Sequence, residues 1–314
     1  MKKVGITGGS GFIGSYITKK FLNEGNKVKV GVTNISQSNK YEHLFNLGNE
    51  DNLSIKALDV QDLEVLRDFS KDCDILIHCG TPFKIEVKDP KRDLYEPTLK
   101  GTENFLKVVQ DTQNIKKLVF VASVAAYNTS FPFPVPSRSL DHLYTEKDTP
   151  YLDDVSIPYA QAKYHAHQLV TAFVSENPDP GFEVVSLAPV TVVGNSLSSR
   201  EDSTSIGLQH VFKSSTTTDP FLEMLFKEDI EFALVDVEDV AEGVYKAATQ
   251  QGNHGKSYLL SSESWKVSDI SRMLNMQSPL GKGREVYSNQ LAKKELGVQF
   301  KPAREPLRRF SKNS

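Results

Sequence analysis

Tyr159 and Lys163 stand four residues apart in the segment SIPYAQAKYHAHQLV. On a helix, positions i and i+4 share a face, so the phenol and the ammonium are neighbours. A free phenol, with a pKa of about 10, is a poor acid–base group at neutral pH. A nearby cation favours the phenolate and draws that pKa toward the working range, which suits proton transfer to or from an oxygen. The spacing alone arises often by chance. Each residue also has a plain structural reading, Tyr159 as packing and Lys163 as a surface lysine with a buried stem. His165 and His167 sit two apart on the same segment, face different ways on a helix and make a poor chelate, so no metal site is expected.

What surrounds the pair gives it meaning. TGGSGFIG, residues 7–14, places glycines at 8, 11 and 14 between a strand-like KKVGIT and a helical SYITKKFLNEG. In that context Gly8 makes a tight turn, Gly11 lets backbone N–H groups approach a dinucleotide pyrophosphate, and Gly14 allows close helix packing. The helix beginning near Phe12 points its positive end at the phosphates. A second strand, KKLVFVAS, ends at Ser123, on the carboxyl edge where such sheets place ligands.

The elements that must position these groups alternate. Strand-like KVKVGVT, LSIKALDV, DILIHCG, KKLVFVAS and EVVSLAP are separated by helical patterns such as DLEVLRDFS, TLKGTENFLKVVQDT and YAQAKYHAHQLVTAFVSEN. That βα rhythm predicts a doubly wound parallel sheet with helices on both faces. It breaks after Pro189. We expect a dinucleotide-binding domain over 1–189 with returning elements at about 236–262, and a smaller, loop-rich substrate-binding lobe from 190–235 and 263–314. The closing PLRRFSKNS is basic and short, and its composition reads as a solvated tail.

Composition narrows the partners. The chain has 314 residues, 39% hydrophobic and 25% charged, with a net charge of −3. Nothing in that balance calls for nucleic acid or an anionic membrane. The two cysteines, Cys73 and Cys79, lack metal-like spacing and read as reduced, which points to the cytoplasm. No apolar run reaches the roughly 18 residues a membrane span needs.

The glycine spacing is G-x-x-G-x-x-G, and TGGSGFIG resembles the loop of the extended short-chain dehydrogenase/reductase family. The VASVAAY stretch resembles that family's serine motif, paired with its Tyr-x-x-x-Lys helix. The resemblance implies a Rossmann-type fold and a trio of Ser123, Tyr159 and Lys163. In that trio a hydride moves between nicotinamide and a carbonyl carbon, Tyr159 is the general acid–base, Lys163 tunes it and holds the ribose, and Ser123 polarises the carbonyl. It also implies cofactor contacts from Gly8, Ser10, Gly11, Phe12, Ile13, Gly14, Asp59, Val60, Gly80, Thr81, Pro189 and Val190, besides Lys163. Thr33 and Asn34 occupy the place that usually separates the two nicotinamide cofactors. Neither is an acid to repel a 2'-phosphate, nor the arginine many such reductases carry. With Ser36 and Lys40 nearby the lean is to NADP(H), with NAD(H) open.

Within the family, Val124 and Ala125 after Ser123 argue against dehydration, and SLAPVTVVGN lacks the arginine of a sugar-nucleotide enzyme. The chain is similar instead to dihydroflavonol, cinnamoyl-CoA and yeast methylglyoxal or aldehyde reductases. An NAD-dependent sugar-nucleotide epimerase is the alternative. Phe83, Phe131, Phe133, Thr191, Phe221 and Leu225, with Tyr159, are candidate substrate contacts. Most are apolar, which favours a small-molecule carbonyl with an aliphatic or aromatic body. Monomer and homodimer are both open.

Overall fold

The computed structural model describes residues 1–80, 89–200 and 203–313. Its strands are β1 (Lys3–Thr7), β2 (Lys27–Val32), β3 (Leu53–Ala57), β4 (Ile75–His78), β5 (Lys117–Val121), β6 (Glu183–Pro189), β7 (Thr191–Val193), β8 (Glu231–Asp236), β9 (Ser257–Leu260) and β10 (Glu263–Lys266). Seven of them form one sheet in the order β3-β2-β1-β4-β5-β6-β9. Every neighbouring pair in it is parallel. This is the doubly wound fold that the βα alternation predicts. β4 and β5 are buried at every position, which is why ILIH and KLVFV are apolar but for His78 and Lys117 at their ends.

Helices cover both faces. On one lie α1 (Phe12–Asn23) and, from later in the chain, α7 (Val237–Thr249), with Ile17, Phe21, Val240 and Val244 in the core beneath. On the other lie α2 (Leu63–Ser70), α3 (Glu96–Asp111) and α4 (Pro158–Glu176), burying Leu66, Phe105, Leu106 and Val170. The starts are written in local chemistry. Asp62 caps α2 by accepting from the N–H groups of Glu64 and Val65 at 3.0 and 3.1 Å. Pro158 opens α4, where its missing N–H costs nothing.

The rest forms a second layer of three strands, β10-β8-β7, antiparallel at β10/β8 and parallel at β7/β8. It packs with α5 (Thr204–Ser214), α6 (Pro220–Lys227), α8 (Val267–Leu274) and α9 (Arg304–Asn313) around Phe212, Phe232, Met273 and Leu307. The short strands β7 and β10 go beyond the sequence reading.

The basic C-terminal stretch corrects that reading outright. Most of it is α9, and Leu307 and Phe310, three residues apart on one face, are 0% and 4% exposed in the core of this layer. Arg309 Nη2 donates to both carboxylate oxygens of Asp236, at 2.9 and 2.8 Å, and Lys301 Nζ donates to the same carboxylate at 3.1 Å. The charge that reads locally as solvation is tied to a buried acid far upstream.

Candidate active site

Ser123, Tyr159 and Lys163 come together at the carboxyl ends of β4 and β5. Ser123 follows β5 in extended backbone, and its Oγ accepts from the Ala125 N–H at 3.2 Å, capping the short turn Val124–Ala126. Its side chain also hydrogen-bonds Tyr159. One turn along α4, Lys163 donates to the Val121 carbonyl at 3.3 Å and sits 5.8 Å from the centre of the Tyr159 ring. Ala162 is fully buried, which lets α4 lie close against the strands. Behind Lys163 is a cavity of about 20 Å³, lined by His78, Thr98, Thr102, Ala166, His167 and Ser186 among others.

The electrostatics differ from the simple expectation that the ammonium pulls the phenol down. Burial pushes Tyr159 up to about 12, partly offset by the Ser123 hydrogen bond. Burial likewise pushes Lys163 down to about 8. Both groups therefore lean to their neutral forms. Tyr159 holds its proton at neutral pH, the state a proton donor needs. Beneath them His78, pushed down to about 3 by burial and by Lys163, is neutral and hydrogen-bonds Thr7 Oγ1 at 2.9 Å, joining the ends of β1 and β4.

The glycines of the first loop separate into two kinds. Gly8 has φ +67°, and a Cβ there meets the Gly80 backbone at 2.5 Å. A Cβ on Gly14 falls 2.0 Å from the Gly8 oxygen. Those two are required by the protein's own packing. Gly11 is not, because a Cβ there meets only the Gly8 oxygen, at 3.3 Å, and otherwise open space. No side chain caps α1 at Gly11. The N–H groups at the start of that helix, from Phe12 and Ile13 on, need an acceptor, and an anion suits them. A strand-end turn with an uncapped helix and room above Gly11 fits a dinucleotide pyrophosphate.

Farther along the edge, Thr33, Asn34 and Asp59 are exposed. Asn34 Oδ1 accepts from both Ser36 N and Oγ, at 2.9 and 2.7 Å, shaping the loop after β2. Asn104 escaped the sequence reading: from α3 it donates to the carbonyls of Val60 and Gln61, both at 2.9 Å, and fixes the turn after Asp59. Its signal was a polar residue on the inner face of an otherwise amphipathic helix.

The substrate-side candidates divide. Phe133 and Phe221 meet edge to face at 6.2 Å, and Phe221 is 47% exposed. Thr191 is half-buried. Phe131 packs on Phe232 and Tyr287, at 5.9 and 5.8 Å, so much of its ring is committed to the layer core. Leu225 is a correction: it is 0% exposed and belongs wholly to that core. Pro189 and Val190 are buried at the end of β6, where the Val190 N–H donates to the Leu260 carbonyl at 3.1 Å. Thr81 and Phe83 lie outside the described residues. A groove of about 530 Å³, lined by Lys116, Lys117, Glu183 and His254 among others, opens at the far, amino-terminal edge of the sheet. It does not touch the trio.

The fold and the glycine loop define a class, and comparison agrees: the chain belongs to the NAD dependent epimerase/dehydratase family, whose model matches residues 4–261. Particular relatives sharpen the picture. The chain is 26% identical over 253 residues to a cinnamoyl-CoA reductase of Medicago truncatula, covering 79% of this chain and 74% of that one. It is 29% identical over 195 residues to the dihydroflavonol 4-reductase of Callistephus chinensis, covering 60% of this chain and about half (51%) of the relative. Among solved structures, the yeast methylglyoxal/isovaleraldehyde reductase complexed with NADPH superimposes with a TM-score of 0.81 at 22% identity, over 99% of this chain and 97% of that one. No described helix is long and apolar enough to cross a membrane.

Proposed function

We propose that the protein is an NADP(H)-dependent reductase of a ketone or aldehyde, working in reverse as an alcohol dehydrogenase. The observation that carries this is the half-buried Tyr159 hydrogen-bonded to Ser123, with the buried Lys163 behind it, at the carboxyl edge of a parallel sheet that also carries the glycine loop. The relatives reported above are named as reductases, which supports reduction over epimerisation.

When bound, the nicotinamide supplies the hydride. Ser123 donates to the carbonyl oxygen as negative charge gathers there. Tyr159 delivers the proton to that oxygen, with its pKa high enough to hold the proton until it is needed. Lys163 in its charged form holds ribose hydroxyls and, by its cation, stabilises the phenolate left behind. Phe12, Ile13 and Gly14 would offer backbone N–H groups to the pyrophosphate, and the exposed Asp59 would serve the adenosine. We assign the substrate pocket to the lobe formed by 190–235 and 263–314, with Phe133 and Phe221 as its aromatic wall. Their apolar surface suits a carbonyl compound with an aromatic or aliphatic body.

The test is NADPH consumption with a panel of aromatic and aliphatic ketones and aldehydes. Tyr159→Phe should lower kcat by roughly 10²–10⁴-fold and leave the Kd for NADPH unchanged. Wild-type protein that binds the cofactor yet reduces nothing in the panel, or a Tyr159→Phe variant with full activity, contradicts the proposal.

A further inference from the structure

The loop after β2 leaves a question, since Thr33 stands where many similar reductases carry an arginine. An arginine does reach this place, from a distant part of the chain. Arg200, on the loop beyond β7, directs Nη1 to the carbonyl of Ser10 in the glycine loop and to the carbonyl of Lys40, both at 3.4 Å. It thus bridges the glycine loop and the loop after β2, and it brings its guanidinium beside the backbone of another cation, Lys40. Thr33, Asn34, Ser36 and Lys40 are all exposed there.

A second observation marks the same place. His43 is only 9% exposed, its Nε2 shares a hydrogen bond with Ser15 Oγ at 2.8 Å, and its buried Nδ1 has no partner. Burial and the nearby Arg200 cation hold its pKa below the usual histidine value. A neutral imidazole carries no charge, and the cations at this wall are Arg200 and Lys40. Ser15 in turn donates to the Gly11 carbonyl at 2.7 Å, so His43, the start of α1 and the glycine loop form one connected wall.

We infer that Arg200, with Lys40, is the determinant that recognises the 2'-phosphate of NADP(H), taking the role of the arginine missing at Thr33. A guanidinium presents a planar fork of donors that suits phosphate oxygens, and Lys40 adds a flexible point charge. The choice between the two nicotinamide cofactors is therefore made by a residue of the loop after β7, outside the segment that follows β2. This inference rests on the cofactor reading above but not on turnover of any carbonyl.

The experiment is calorimetric titration of the whole protein with 2',5'-ADP and with 5'-AMP, which differ only by the 2'-phosphate. Wild type should bind 2',5'-ADP more tightly, by a margin that shrinks as salt rises. Arg200→Gln should weaken 2',5'-ADP by about 10- to 100-fold, the size expected for one lost charged hydrogen-bond pair, and leave 5'-AMP unchanged. Lys40→Gln should act in the same direction more weakly. Thermal unfolding of each variant separates loss of fold from loss of recognition. Equal affinity of wild type for the two nucleotides, or an Arg200→Gln variant that keeps its preference or weakens both ligands alike, overturns the inference. Failure to bind either nucleotide overturns the cofactor reading with it. An inactive carbonyl panel with intact 2',5'-ADP preference overturns only the proposed reaction.

Discussion

Lys163 holds its amine 5.8 Å from the centre of the Tyr159 ring while donating to the Val121 carbonyl at 3.3 Å, and burial drives the two groups toward neutrality from opposite sides. The amine titrates at about 8 and the phenol at about 12. In reduction Tyr159 must be protonated, a condition met far above neutral pH. Lys163 must be charged to hold the ribose, a condition lost as pH rises through about 8. The KM for NADPH should therefore climb above that pH, while kcat falls later. A pH profile whose only alkaline limb lies near 12 would count against this assignment.

Stability runs the other way. An unfolded lysine keeps its proton to about 10.5, whereas Lys163 releases it at about 8, so the unfolded chain binds more protons across that window and stability rises with pH. Lys163→Met should raise the unfolding free energy at pH 7 by up to about 3 kcal/mol, measured by urea denaturation, while cofactor affinity drops.

The two kinds of glycine separate cleanly by mutation. Gly14→Ala puts a methyl 2.0 Å from the Gly8 oxygen, backbone against backbone, and should cost about 3 kcal/mol of stability. Gly11→Ala has ordinary φ and one contact at 3.3 Å, so its melting temperature should barely move. Its NADPH affinity should nonetheless fall at least about tenfold, because the methyl occupies the space above the helix start. Paired melting and binding curves decide the matter.

Leu225 and Phe221 share a helix but not a task. Leu225→Ala should cost about 2–5 kcal/mol with little change in substrate KM. Phe221→Ala, on a side chain that is 47% exposed, should cost under about 1 kcal/mol yet raise KM for an aromatic carbonyl. Reversed outcomes would move the pocket wall.

Asp236 has no exposed surface and is held by Arg309 and Lys301 together. Asp236→Asn leaves two cations competing for a neutral amide and should cost about 3 kcal/mol. Arg309→Ala should cost less, since Lys301 remains. Urea unfolding midpoints check the order.

The main sheet was legible because its strands and helices carry local patterns: ILI and LVFV are apolar runs within ILIH and KLVFV, and TGGSGFIG announces its own geometry. β7 and β10 were not, being three and four residues long, with Trp265 the one apolar residue of the latter. Burial of Leu225 rather than Phe221 depends on which face of α6 meets the layer, a tertiary fact. The pairing of Arg309 with Asp236 crosses 73 positions and that of Arg200 with Ser10 crosses 190, and no window on the chain reveals such partners. The grouping of Ser123, Tyr159 and Lys163 was readable chiefly through resemblance, and the opposite pKa shifts of Tyr159 and Lys163 only through burial.

β6 pairs on its outer side with β9, through Ser186 opposite Ser257 to Pro189 opposite Leu260. Everything from 190 to 256 is synthesised between them. On a ribosome making about 5–20 residues per second, β6 stands as a bare edge for roughly 3–13 s before its covering strand exists. Its unpaired N–H and C=O groups are open throughout that interval to any extended chain nearby. That window of edge exposure during synthesis is set by where the chain order inserts residues 190–256.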